Sequence, residues 1–151
     1  MNEKINTIEQ AMNYIDYIEG ETWKVIPNYS QYLISNYGRI FGFKHKAIKT
    51  IGKKRSFKKK RKKNRNKDKQ RYFATRLYDD SGKLSNALYI HRLVAEVFCF
   101  NPDPESKTEV HHININTLDN RADNLIWLTP KEHREIHKKL REQKESENNE
   151  S

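Results

Sequence analysis

The stretch EVHHININTLDNRADNLIWLTPKEHREIHKK, residues 109–139, constrains the fold more than any other part of the chain. Its last part carries a full set of helix-start signals. Thr129 stands at the N-cap, Pro130 at the first helical position, and Glu132 completes a capping box with Thr129. Together they fix the helical phase of TPKEHREIHKKLRE. Ahead of it, EVHHI and NLIWL read as short strands joined by the Asn- and Asp-rich loop NINTLDNRAD. One strand-to-helix step then brings strand and helix together.

In that phase His133 and His137, four residues apart, project from one helix face. Paired imidazoles at this spacing can reach one divalent ion, although the same spacing also occurs on solvated helix faces. His111 and His112 on the neighbouring strand change the balance. Five of the six histidines (His91, His111, His112, His133, His137) fall in the last 61 residues. Such a set supports phosphodiester hydrolysis. An imidazole with an ordinary pKa of about 6.5 can deprotonate water at neutral pH. A divalent ion can polarise the phosphate and stabilise the leaving oxygen, and an Asn side chain can hold a loop so that the base is oriented. Adjacent strand residues point to opposite faces. His111 and His112 therefore share a site only if the strand ends or bulges there, which the NIN loop permits. An ion and a water lying on different sides of the phosphate would also reconcile the two directions.

Charge points to a partner. The formal net charge is +10, but the 53–71 run alone holds thirteen Lys or Arg and one Asp, a balance of +12, so the remainder sums to −2. A segment of this kind neutralises phosphates and releases their counterions, giving sequence-independent affinity for nucleic acid. A solvated run or a nuclear-import signal would have the same composition. With 34% hydrophobic and 33% charged residues, any core must be compact. No apolar run reaches the roughly 18–20 residues needed to span a bilayer, and the N-terminus lacks the basic-then-apolar order of a secretory signal. The single cysteine, Cys99, excludes an internal disulfide and a Cys-rich zinc finger. These features lead to the expectation of an intracellular protein that is not secreted and does not engage a membrane.

Elsewhere the pattern suggests two small modules. Ile5, Ile8, Met12, Ile15 and Ile18 recur at helical spacing, which predicts a helix over 1–20 ending at Gly20. TWKVI, YLIS and RIFGF read as strands separated by the turns PNYS and SNYG, with Trp23, Phe41 and other aromatics supplying a core. RYFATRLYDDSGKLSNALYIHR reads as a hairpin turning at DDSG, and HRLVAEVFCF as a short helix ended by Asn101-Pro102. The tail 141–151 has no apolar residue and is expected to be disordered.

At VHH, Asn124-Leu125 and His133 the sequence resembles the HNH endonuclease family, with its ββα-metal fold. HRLVAEVFCFNP and NTLDNRADNLIWLTP look like the phage-type homing subgroup. TWKVIPNYSQYLISNYGRIFGF is similar to the nuclease-associated modular domain that often precedes such nucleases. The resemblance implies an α+β chain: a small β-rich module over 21–50, a basic linker over 51–71, and a ββα-metal (His-Me finger) HNH nuclease domain over 72–140. It implies a metal-dependent DNA endonuclease, of the homing type, acting on double-stranded DNA as a monomer or homodimer. His112 would be the general base, and Asn124 would order the loop and the base. His111, His133 and His137 would hold one divalent ion. Many homing members carry Asp where this chain has His111, whereas bacteriocin-type members carry His-His. The imidazole-rich set should bind Zn²⁺ or Ni²⁺ tightly as well as Mg²⁺ or Mn²⁺. Arg39, Lys58, Lys59, Lys60, Arg61, Lys62, Lys63, Arg65 and Arg92 are candidate DNA contacts. A DNA-binding regulator that no longer cuts, or a structural zinc module, would account for the same pattern in other ways.

Overall fold

A computed structural model describes residues 3–49, 54–56 and 71–150. Most of the basic run, Lys58 to Arg65 included, lies outside the described residues. Four short strands, β1 (Trp23–Ile26), β2 (Tyr29–Ser35), β3 (Ile40–Gly42) and β4 (Ala47–Ile48), form an antiparallel meander in that order. The first hairpin turns at Asn28, whose φ of 65° lies in the left-handed region that Asn tolerates.

This small sheet is buried on both faces, because successive strand residues alternate sides. Leu33 and Phe41, paired across β2 and β3, join Trp23 and Phe43 in one core. The N-terminal segment closes it with Ile5, Ala11 and Ile15. Ile34 and Ile40, the next pair along, face the opposite way. They enter a second core with Leu77, Ile90, Val94, Val110 and Leu125. The β module and the C-terminal elements therefore share apolar interior.

The N-terminal helix is shorter than its apolar spacing suggests. Only α1 (Ile8–Met12) is helical, with Thr7 and Gln10 forming its capping box. Beyond it the backbone carbonyls find partners outside a helix. Asp16 O accepts from Arg39, Glu19 O from the Tyr37 hydroxyl, and Gly20 O from Asn36 Nδ2. Ile5 and Ile15 reach the core while Ile8, Met12 and Ile18 are exposed, so the helical spacing reported burial only in part and the backbone path wrongly.

Strands β5 (Lys54–Ser56), β6 (Arg71–Thr75) and β7 (Leu88–Tyr89) form a second antiparallel sheet, so part of the predicted linker is paired backbone. The DDSG turn is present, with the Asp79 carboxylate accepting from the backbone N–H groups of Ser81 and Lys83. Helix α2 (Ile90–Phe98) follows directly and buries Ile90, His91, Leu93, Val94 and Ala95. The chain then forms the antiparallel pair β8 (Glu109–His112) and β9 (Leu125–Leu128), and ends in α3 (Pro130–Asn149). The expected disordered tail is helical through Asn149. Lys, Gln and Glu are good helix formers, no Gly or Pro interrupts them, and a capped start propagates.

Candidate metal and base site

The capping box of α3 forms as its sequence specifies. Glu132 N–H donates to Thr129 Oγ1 at 3.1 Å, and Thr129 N–H to Glu132 Oε2 at 2.8 Å. Lys107 ties Glu132 down further at 3.0 Å. This fixed start aims His133 and His137 at the β8 strand. Their Nε2 atoms lie 3.0 Å apart, and the His111 ring packs 5.1 Å from His133 and 5.3 Å from His137. One nitrogen from each of the three imidazoles lies within 4.8 Å of the others. Metal–nitrogen bonds of about 2.1 Å need donors roughly 3–4 Å apart, so a small closure suffices. Three protein donors leave coordination room for water or substrate.

Glu109 completes this side. His133 Nδ1 lies 2.6 Å from Glu109 Oε2, so the Nδ1–H donates to the carboxylate and Nε2 keeps its lone pair. Glu109 and His111 are two apart on one strand, hence on one face. That alternation was the available signal for Glu109, which the sequence reading passed over.

His112 faces the other way. The β8–β9 register runs without a bulge through His111↔Ile126 and His112↔Leu125, and the strand ends at His112. The His112 ring lies against Tyr72 and, at 5.0 Å between centroids, against buried His91. Its Nε2 is 3.0 Å from Asn120 Oδ1. With the amide oxygen facing the ring, Nε2 carries the proton and Nδ1 is the basic nitrogen. His111 and His112 nevertheless line one small cavity of ≈ 20 Å³ together with Tyr72, Thr117, His133 and His137. That is room for about one water.

Asn124 is buried, and its hydrogen bonds go to the loop rather than to His112. Its Oδ1 accepts from Asn114 N–H at 3.0 Å. Its Nδ2 donates to Asn114 Oδ1 and to the Asp119 carbonyl, each at 2.9 Å. Asn124 thus pins both ends of the Asn114–Asp119 loop, and Asn120, the next residue, reaches His112. Contact with the loop and contact with His112 thus fall to two different asparagines. The β module supports this arrangement. Gly38 (φ 84°) brings the β2–β3 turn so close that a Cβ there would lie 3.2 Å from Asn120 Cβ and 3.3 Å from Ile90 Cγ2. Asn36 O accepts from Ala122 N–H at 2.8 Å.

Burial lowers the pKa of His111, His112 and His137. It is the largest influence on His111, which with its His133, His137 and His112 neighbours is pushed down to about 4. His112 is lowered chiefly by burial, partly offset by its Asn120 bond and by Asp119. His137 is lowered by burial and then by His133. Neutral rings present the lone pairs that both metal ligation and proton abstraction require.

The predicted DNA contacts fare differently. Arg39 is committed internally. Its Nε donates to Glu21 Oε1 at 2.9 Å and its Nη1 to Asp16 Oδ1 at 2.7 Å, while its Nη2 serves Glu21 Oε2 and the Asp16 carbonyl. An arginine so engaged turns its fork inward, towards Glu21 and Asp16. Arg92 Nη2 donates to the Thr108 carbonyl at 3.1 Å and stays partly accessible.

A two-stranded hairpin packed on one helix, with imidazoles from both, defines a ββα-metal domain. Residues 88–135 match the HNH endonuclease family, and residues 21–78 match the NUMOD4 motif. The chain thus carries an HNH endonuclease domain with a NUMOD4 motif ahead of it. It is 34% identical over 116 residues to the uncharacterized HNH endonuclease L247 of Acanthamoeba polyphaga mimivirus, a match covering 76% of this chain and 25% of that protein. It is 33% identical over 116 residues to the H-N-H endonuclease F-TflII of Escherichia phage T5, covering 76% and 51%. The HNH homing endonuclease I-HmuI, whose structure concerns its DNA binding and cleavage, superposes with a TM-score of 0.60 at 27% identity, covering 79% of this chain and 59% of that one. The chain thus spans between a quarter and about half of these curated relatives. HNH nucleases generally use a divalent metal ion. Among the described residues, no helix is long and apolar enough to cross a membrane.

Proposed function

We propose that this chain is a metal-dependent endonuclease of the homing type that hydrolyses phosphodiester bonds in double-stranded DNA inside the cell. The observation that carries the reading is the division of labour at the end of β8: three imidazoles gather on one side and a separately oriented fourth faces the other, around one water-sized space. His112 is the general base. Asn120 holds its Nε2–H, and Nδ1 takes the proton from the attacking water. His111, His133 and His137 hold one divalent ion, with Glu109 orienting His133. When bound, that ion supplies charge stabilisation to the phosphate and the leaving oxygen. Asn124 keeps the loop in place, so the Asn120–His112 bond survives substrate entry. The 58–65 run contributes sequence-independent phosphate affinity.

A set of three donors favours this chemistry over a closed structural zinc site, which ordinarily has four. Supercoiled plasmid incubated with the full chain and Mg²⁺, Mn²⁺, Ni²⁺ or Zn²⁺ tests the proposal, with EDTA as control. Relaxation or linearisation with at least one ion and none in EDTA is expected. A salt-dependent gel shift with no cleavage under any ion would instead assign a DNA-binding protein without the chemistry.

A further inference from the structure

Helix α3 runs for twenty residues yet fully buries none of them; Ile136 and Leu140 rest half-buried on the domain. Packing alone accounts for little of its outer surface. Along that surface Lys131, Arg134, Lys138 and Arg141 are all exposed. At about 100° per residue they fall within an arc of roughly 80°, directly beside the arc of His133 and His137. A shallow groove of ≈ 540 Å³ follows this edge, lined by both histidines, all four basic side chains and, as its one acid, Glu135. Arg141 is near enough to His137 to disfavour its protonation.

The stripe has limits on every side. Glu135 and Glu142 flank it away from the histidines, and past Arg141 the charge reverses, with Glu142, Glu145, Glu147 and Glu150 against Lys144 alone. Of the four cations only Lys138 makes an ion pair among the described residues, to Glu142 at 3.9 Å in the open. Exposed pairs of that kind contribute little and yield to a phosphate. A uniformly solvated helix would intersperse both signs around its circumference and along its length.

We propose that Lys131, Arg134, Lys138 and Arg141 form a phosphate-binding track that grips the DNA backbone flanking the scissile phosphate and ends where the helix turns acidic. The track rests on the endonuclease reading and adds to it a surface distinct from the 58–65 run. It spans about 15 Å of helix, over which a duplex laid alongside presents about four phosphates per strand. Its role is positioning, since it contacts the backbone beside the reacting group.

The test is the salt dependence of binding of the full chain to a duplex in EDTA, where nothing is cut. Two double variants remove equal charge: R134Q/R141Q from the track, and K4Q/K139Q from exposed sites off it. Arg and Gln have similar helix propensity, so α3 persists, and circular dichroism checks this. Each lost phosphate contact lowers the slope of log K against log salt by about 0.9. R134Q/R141Q should lower it by roughly 2, and K4Q/K139Q should leave it near the wild-type value. Equal slopes in the two variants, or a slope unchanged in R134Q/R141Q, would overturn the track and leave the endonuclease reading intact. A wild-type chain with no salt-dependent binding would overturn both.

Discussion

Replacing Arg39 by alanine separates a structural arginine from a DNA-binding one. Its guanidinium joins three elements that only the fold brings together: Glu21 ahead of β1, the Asp16 segment, and the Trp23 ring 5.4 Å away. The two ion pairs are unequal. The Asp16 side chain is 73% exposed, so solvent screens that pair and it contributes little. The Glu21 side chain is only 2% exposed, and Arg39→Ala strands its carboxylate without a partner. Breaking a buried pair from one side costs about 3–5 kcal/mol, a large part of the roughly 5–15 kcal/mol that stabilises an ordinary domain. Adding Glu21→Gln to Arg39→Ala removes the stranded charge and should recover part of the loss. Urea unfolding followed by tryptophan fluorescence reads all three variants, because Trp23 lies beneath the guanidinium. If Arg39→Ala cost under about 1 kcal/mol while weakening DNA binding tenfold, the guanidinium would be free for phosphate and the structural assignment would be wrong.

Asn124→Ala should destabilise the chain by about 1.5–4 kcal/mol in the same unfolding assay, since three part-buried hydrogen bonds to the 114–119 loop are lost. Glu109→Ala should weaken divalent-ion affinity roughly 10–100-fold by calorimetry, with little change in unfolding midpoint in EDTA, because the carboxylate orients His133. His91 supplies the pH test. Burial, reinforced by His112 and Arg92, lowers it to about 3, against 6.5 when unfolded. A depressed pKa means that the unfolded chain binds the proton first. Its contribution is therefore full above about pH 6.5 and falls as pH drops towards 3, by up to about 1.4 kcal/mol per unit. His91→Leu should flatten the decline in stability between pH 7 and 5; an unchanged decline would place the titration on other groups.

What the sequence disclosed was local. The Thr129–Pro130–Glu132 start fixed the helical phase, and the phase placed His133 and His137 on one face before any tertiary contact was known. Strand alternation separated His111 from His112, and the structure realises that separation by ending β8 at His112, with no bulge. Asn120, Glu109 and His91 were harder. Asn120 reaches His112 only because Asn124 closes the loop and Gly38 presses a turn from the β module against it, a contact between positions 82 apart in sequence. His91 looked like a helix-start residue, and only packing puts its ring against His112. The ion pairing of Arg39 was hidden for a related reason: its sequence position records a cation and cannot show that Glu21 is buried beside it. The tail misled because lack of apolar residues was read as lack of structure, although a helix already nucleated at Thr129 needs only good formers to continue.

The central claim is that His112 moves the proton while the other three histidines hold the ion. Plasmid nicking by His112→Ala, measured beside its DNA affinity and its divalent-ion affinity, tests it most directly. Nicking should fall by roughly 10²–10⁴ while both affinities stay within a few-fold of wild type. Nicking retained at the wild-type rate would contradict the claim, and so would a loss of nicking that merely tracked a loss of bound ion.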